Sequence, residues 1–412
     1  MSTRALPFFV PAVFVAAAAA QGNWSAPVFE PVLNSTAADN GPHLSFDGLV
    51  LYFASFRSSN WEIYTSARTA PGASWSAPAL VTELGGAGTE DQPFLAVGDL
   101  EIYFSSTRAG GAGGSDLMRS TRASTAVPWG VPTFVTELNG AGAESAFSVT
   151  ADGLEAYFLT TSWGAPAAPN NAIFRATRTS TALPFSTPTL VTELSNSNTH
   201  RDCEIAPDGL SLVYTEFVSP RLKVLFASRP DRVSPFSPPV VWTEFDNVGA
   251  SLGVYSFTRS AAGDEAFLAA GFATAAGGQE IMTTRRSVPY GDGCGAAAAL
   301  ALAATAPVLG ASWDFTTSNI DPVSPLAITF FGLAEVAIPL AVIGAPGCFA
   351  NVDSLLTSLA GANVAGSAVI AIPVPADPAL AGFALKAQSV CLTLGNALGL
   401  YTSNGVRGTL GG

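Results

Sequence analysis

Ionisable side chains are scarce in this sequence. Asp, Glu, Lys and Arg make up 12% of its 412 residues, and histidine occurs only as His43 and His200. So little charge argues against a chain of exposed helices, whose outer faces are normally charged. With 40 glycines and 29 prolines it suits a turn-rich all-β protein. The two histidines, far apart in sequence, are read as solvated or hydrogen-bonded residues of the fold. The four cysteines, Cys203, Cys294, Cys348 and Cys391, lack the close paired spacing of a zinc site. The net charge of −13 sets nucleic acid aside as a partner, because phosphate backbones are bound through clustered Lys and Arg. No Gly-x-Ser-x-Gly elbow, phosphate loop or metal-binding His pair is present, so no motif announces a reaction. Beyond the N-terminus no clean apolar run of ~20 residues survives, since Pro307, Glu335 and Pro339 break the candidates.

The N-terminus itself reads as an export signal. Arg4 supplies a positive start, an apolar run follows from Ala5 to Ala20, and Ala18-Ala19-Ala20 fits the small-x-small cleavage pattern. The run is short for a membrane span and is interrupted by Pro7 and Pro11. Residues 1–20 are therefore expected to be removed, leaving a secreted, extracellular or periplasmic protein that begins near Gln21. Four cysteines fit such an oxidising compartment and, if all are joined, allow three pairings. Cys203, alone among the repeats, is read as a buried small hydrophobe.

What is present is a repeat. Trp24-Ser25-Ala26-Pro27 returns as Trp75-Ser76-Ala77-Pro78, Trp129-Gly130-Val131-Pro132, Phe185-Ser186-Thr187-Pro188 and Phe236-Ser237-Pro238-Pro239, at steps of 51, 54, 56 and 51 residues. A period near fifty filled with short apolar runs signals a β-propeller or similar array. Each period offers four strands: one before an Asp-Gly turn, an aromatic one after it (Leu49–Ser55 in the first copy), one of the "EIYTSAR" type, and the "WSAPALVTEL" strand. The turn recurs as Asp47-Gly48, Asp152-Gly153 and Asp208-Gly209, is reversed as Gly98-Asp99, and becomes Ala262-Gly263 in the weaker fifth copy. Asp-Gly between alternating apolar runs is a strong hairpin signal. The array opens with a fourth-type strand, Trp24–Leu33, and ends with a third-type strand, Gln279–Arg285. The first strand can therefore complete the last repeat, which predicts a five-bladed β-propeller over residues 21–289, closed by an N-terminal strand so that no sheet edge is left open.

The stretch Pro42–Arg57, read as P-x-L-S-x-D-G-L-x-L-Y-F-x-S-x-R and followed by D/E-I-Y-x-S-x-R, resembles the TolB-type, WD40-like propeller repeat of exported bacterial proteins. That resemblance covers residues 23–289 and implies an interaction platform rather than a reaction. After Tyr290 charge thins and apolar stretches such as Leu326–Phe331 and Ala368–Ile372 alternate with Gly and Pro, so residues 290–412 are expected to form a β-sandwich. Tyr290–Cys294, Gly344–Cys348, Ile372-Pro373, Leu380–Gly382, Gln388 and Ser403–Gly405 resemble a C-terminal domain of secreted planctomycete proteins. By position it is similar to sorting or surface-attachment modules. Cys294 and Cys348 fall in the motifs that carry this resemblance, and in Gly-rich turns where backbones approach easily. They are expected to pair, closing a loop that stabilises by roughly 3–4 kcal/mol in the chain-entropy picture.

One acidic constellation remains. Asp39, Glu90, Asp91, Glu144, Asp202 and Glu204 fall at or just before the starts of the innermost strands, which in a closed ring would converge on one channel mouth. Convergent carboxylates could bind a sugar, hold Ca²⁺ or act as a general acid/base pair, as axial carboxylates do in five-bladed glycosidases of the arabinanase type. Solvated acids capping strand ends are the plainer reading. The expected function is a monomeric secreted or cell-envelope propeller that binds a protein or glycan without catalysis and without a cofactor. The alternative is a glycoside hydrolase-like enzyme acting at the channel mouth.

Overall fold

The computed structural model describes residues 24–96, 98–161, 163, 171–248, 252–272, 278–353 and 356–411. The expected export signal, residues 1–20, lies outside them. The described chain is all-β, with only three short 3-10 turns, and its strands form small antiparallel sheets in a propeller-like arrangement.

After β1 (Val28–Phe29), the strands follow in sets of four. The first set is β2 (Asp39–Leu44), β3 (Val50–Ser55), β4 (Glu62–Ala67) and β5 (Ala79–Leu80). The second is β6 (Glu90–Ala96), β7 (Glu101–Ser106), β8 (Asp116–Thr121) and β9 (Thr133–Phe134). The third is β10 (Glu144–Val149), β11 (Glu155–Thr160), β12 (Ala172–Thr177) and β13 (Thr189–Leu190). Each of these is a separate four-stranded sheet. The strands β14 (His200–Ile205), β15 (Ser211–Val218), β16 (Arg221–Ser228), β17 (Val240–Val241), β18 (Gly253–Arg259), β19 (Glu265–Gly271) and β20 (Gln279–Arg285) join β1 in an eight-stranded sheet. Its two halves meet through a single parallel pair, Leu222 with Gly253. β1 pairs with β20, Val28 opposite Thr283. The first strands of successive repeats pack side by side, β2 on β6, β6 on β10, β10 on β14, β14 on β18 and β18 on β2, so the series returns to its start.

Local chemistry explains the hairpins. Gly48 holds φ at 74°, a conformation that a Cβ disfavours, while the Asp47 carboxylate accepts from the Leu49 N–H at 3.0 Å and from the Ser45 hydroxyl at 2.7 Å. The reversed Gly98-Asp99 keeps both residues at positive φ. The fourth-type strands are shorter than the sequence suggests. The Trp24–Leu33 segment contributes only two paired residues, as do its counterparts. Each follows a proline, which cannot donate to a ladder.

A repeated clip ties each turn to the motif aromatic. Arg68, Arg122, Arg178, Arg229 and Arg286 each donate Nε–H to the turn carbonyl of their own repeat, at 2.6–2.9 Å. Their guanidinium groups lie over Trp75, Trp129, Phe185, Phe236 and Trp24, at 4.0–4.6 Å from the ring centroids. Such cation–π contacts are worth up to ~2 kcal/mol when desolvated. In the last clip the aromatic comes from the start of the chain. Trp24 is buried beside Trp242, Phe245 and Phe257. The same seam holds a buried ion pair between Arg68 of the first repeat and Glu265 of the last, whose side chains are 1% and 3% exposed.

The C-terminal residues make separate sheets. The strands are β21 (Val288–Tyr290), β22 (Ala301–Ala304), β23 (Ser312–Ser318), β24 (Leu326–Gly332), β25 (Glu335–Pro339), β26 (Phe349–Val352), β27 (Thr357–Ala362), β28 (Ser367–Pro373), β29 (Ala384–Leu392) and β30 (Leu400–Thr409). A five-stranded sheet runs β21-β30-β29-β24-β27, a three-stranded one β22-β23-β28, and β25-β26 form a hairpin. Trp313, Phe315 and Ile370 of the smaller sheet share one core with Phe331, Ala387 and Val406 of the larger. Cys294 and Cys348 are joined in a disulfide, with Cα atoms 5.1 Å apart, while Cys203 and Cys391 are buried free thiols. No helix among the described residues is long and apolar enough to cross a membrane.

Replacing Trp24 with Ala empties an aromatic site and strands the Arg286 guanidinium. We expect a loss of roughly 3–5 kcal/mol in urea denaturation. Deleting residues 22–36 removes both the clip and β1, and the truncated protein should melt well below the parent. Equal melting temperatures would show that the N-terminal strand does not close the array.

Candidate functional site on the ring axis

Each first strand contains one extra residue. The pairing register slips between Asn40 and His43, Asp91 and Phe94, Ser145 and Ser148, His200 and Asp202, and Val254 and Ser256. Gly41, Gln92 and Ala146 take positive φ at this bulge. A one-residue slip turns the strand over, so residues before and after it face opposite sides.

The six acids divide into two sets. Asp39, Glu90 and Glu144 turn into their own repeats. The Asp39 carboxylate meets the Arg57 guanidinium at 2.7 Å and the Ser35 backbone N–H at 2.7 Å. Glu90 meets Arg108 at 2.8 Å and the Ser106 hydroxyl at 3.0 Å. The two arginines also donate to the carbonyls of Leu33 and Leu84. Glu144 accepts from the Thr160 hydroxyl at 2.6 Å and the Gly140 N–H at 2.9 Å. In the fourth repeat a histidine takes the acid's place, and His200, its pKa lowered by burial, faces Glu216 across 3.6 Å. These three acids therefore fasten strand ends and do not converge on a channel mouth.

The other three lie towards the axis. Asp202 and Glu204 line a narrow void of about 20 Å³ with Gly41, His43, Gln92 and Phe94. Asp91 lies beside Gly41 and repels Asp202. Burial is the main cause that pushes Asp91 up to about 6 and both Asp202 and Glu204 up to about 7. Their acceptors are in use. The Asp202 carboxylate takes the Phe257 N–H at 2.9 Å, Glu204 takes the Arg259 N–H at 3.3 Å, and Asp91 takes the Gln92 N–H at 2.7 Å.

These bonds belong to a ring. Apart from the single Gly253–Leu222 bridge of β18, every first strand pairs only with its hairpin partner and turns its other edge inward, with N–H groups that must find acceptors. Side chains of the preceding repeat supply them. His43 Nδ1 accepts from Leu95, Gln92 Oε1 from Ala146, Ser148 Oγ from Ile205, and Ser256 Oγ from Gly41. Across the axis Gln92 Nε2 also donates to the Arg201 carbonyl at 2.8 Å.

Above this layer opens a cavity of about 510 Å³, at the ends of the first strands rather than their starts. Its floor includes His43, Phe94 and Glu204, which also line the void beneath, and Val149, Ile205, Arg259, Phe46, Asp99 and Asp208 line it further towards the turns. All five repeats contribute. Of the six acids singled out in the sequence, Glu204 alone lines it. His43, Arg259, Asp99, Asp208 and Phe46 were not singled out as site residues. Counting four residues back from the first turn residue finds the axial layer directly: His43, Phe94, Ser148, Glu204 and Thr258. Among the described residues no group of three or more His, Cys, Asp or Glu side chains is placed to hold a metal ion.

No protein-family model and no curated protein matches the chain. Among solved structures it is similar to TolB from Acinetobacter baumannii, at 16% identity and a TM-score of 0.38. That match covers 62% of this chain and only 56% of the TolB chain. A thermostable family-43 glycoside hydrolase matches at 11% identity and a TM-score of 0.43, over 63% of this chain and 93% of the hydrolase. An exo-β-1,3-galactanase from Phanerochaete chrysosporium matches at 8% identity and 0.40, over 93% and 98%. The likeness is of propeller-like fold at low similarity. It brings no activity, substrate or partner to this chain.

The raised axial acids set a pH dependence. Unfolded, they ionise near pH 4, whereas folded Asp202 and Glu204 hold their protons to about 7. Their contribution therefore favours folding at low pH and is lost as pH rises from about 4 through 7. His43 acts oppositely. Burial pulls it down to about 3, so its contribution is lost as pH falls from 6.5 towards 3. We expect stability to decline between pH 5 and 8, and Asp202→Asn to shrink that decline by roughly 2 kcal/mol. Urea denaturation at the two pH values checks it, and an undiminished decline in the variant would remove Asp202 from the account.

Proposed function

We propose that the repeats are five blades of a β-propeller closed by the N-terminal strand and followed by a β-sandwich, with domain limits at residues 21–289 and 290–412. On this reading the chain is a secreted or cell-envelope protein that binds a protein or glycan at its axial cavity, without turnover. The observation that carries it is the cavity itself, lined by all five repeats and by the polar side chains of His43, Glu204 and Arg259. A concave, largely apolar site with a few convergent polar groups is what ligand binding requires. The C-terminal sheets, fastened beside the last blade by Arg407 on the Ala262 carbonyl and Thr409 on Asp264, suit an attachment role.

A hydrolase reading keeps one observation in its favour. Glu204 lines the cavity with its carboxyl raised to about 7, as a general acid needs. A glycan array on the full chain, with reducing-sugar release measured alongside, separates the two. Retained glycan with no sugar release is the expected result, and steady release would overturn the non-catalytic reading. Calcium provides a second check. Because the six acids have protein partners, Ca²⁺ should raise the melting temperature no more than ionic strength does. A saturable calorimetric heat lost in Asp202→Asn would place an ion on the axis.

A further inference from the structure

The cavity floor holds a donor and an acceptor that face each other without bonding. His43 Nδ1 accepts the Leu95 N–H at 3.1 Å, so in the neutral ring the proton must sit on Nε2. Nε2 and Glu204 Oε2 are 4.0 Å apart, near each other but too far for a hydrogen bond. An oxygen about 2.8 Å from both atoms would lie about 2 Å off the line joining them. It would have to accept from His43 and, while Glu204 is ionised, donate to it. A hydroxyl does both, whereas an ionised carboxylate or phosphate has no proton to donate and is repelled wherever Glu204 is ionised.

The rest of the cavity extends that chemistry. The Arg259 guanidinium lines it and makes no side-chain hydrogen bond among the described residues, although Glu204 and Asp208 are near enough to act on it electrostatically. Asp99 and Asp208 at the rim add acceptors and, with Glu204, oppose an anionic guest. Phe46, 67% exposed, stands at the rim with its backbone N–H held by Asp99, and it offers an aromatic face. The floor is nearly closed. The void beneath it, about 20 Å³, has room for about one water. A polymer therefore cannot pass through and can enter only by an end.

We propose that the axial cavity receives the terminal ring of a neutral glycan, with one hydroxyl bridging His43 Nε2 and Glu204 Oε2, others meeting Arg259, and the ring face or the next ring against Phe46. This rests on the cavity being the binding site. It commits to the glycan among the two ligand classes and to end-on capture. At about 510 Å³ the space falls within the usual range of small-molecule sites, roughly 300–1,000 Å³.

The test uses the full chain and calorimetric titration with the methyl glycosides of neutral hexoses and pentoses, their uronic acid counterparts, and oligosaccharides of increasing length. One neutral series should bind saturably at one site, with affinity that stops rising after about two rings because the remainder lies outside the cavity. The matching uronic acid should bind at least roughly tenfold more weakly, and Arg259→Met should lose a similar factor. Phe46→Ala, at an exposed position, should weaken binding while leaving the melting temperature unchanged. Absence of binding by every neutral glycoside, or preference for the uronic acids, overturns the proposal. So does affinity that climbs steadily with chain length. Glycan binding that survives both variants also overturns it but leaves the binding-protein reading standing. Sugar release that fails in Phe46→Ala would support the seat and overturn the non-catalytic reading.

Discussion

The inner edge of each sheet governs this molecule. A first strand pairs with its own hairpin partner on one side and presents bare N–H groups to the axis on the other. Water could satisfy them only in a wide channel. Here the preceding repeat does so, through His43, Gln92, Ser148, Asp202, Glu204 and Ser256. Because Ser256 reaches back to Gly41, the last repeat serves the first. The bonds fix spacing and rotation between neighbours, while leaving His43 Nε2 and Glu204 Oε2 4.0 Å apart at the cavity. Ion pairs such as Arg68–Glu265, and the aromatic contacts between repeats, then act on a geometry already set.

Much of this was legible in the residues. The period of the Trp/Phe-x-x-Pro motif placed the repeats, and the offset between first and last strands pointed to closure by the N-terminus. The arginine that ends each third-type strand was part of the motif, yet its bond to the turn carbonyl and its place over the motif aromatic were not deducible from spacing. They join segments that are apart in sequence and meet only in the folded repeat.

The candidate site was harder to read. Position near a first-strand start does not say which side an acid faces: Asp39, Glu90 and Glu144 turn into their own repeats, whereas Asp91, next to Glu90, lies towards the axis. The extra residue at Gly41, Gln92 and Ala146 then changes which side the later residues of the strand face. Nothing in the residue types announces the bulge, since Gln and Ala are not the glycine expected at positive φ. Position along the strand misled in a second way, because the cavity opens at the end nearest the turns.

Supplying the last aromatic from the first strand has a consequence for how the chain folds. Trp24 meets Arg286, and Val28 meets Thr283, across more than 250 residues of sequence. The four earlier clips are local and can form as each repeat emerges from the ribosome. The fifth must wait until residue 286 has been made. Until then Trp24 has no pocket and β1 has no strand to pair with, so the growing chain passes through an open arc with both ends exposed. Contacts of such separation slow folding, because the whole loop must be closed before they contribute. The rate-limiting step of assembly should therefore lie at this single seam, and a chain stalled there would offer its bare strands to another copy of itself.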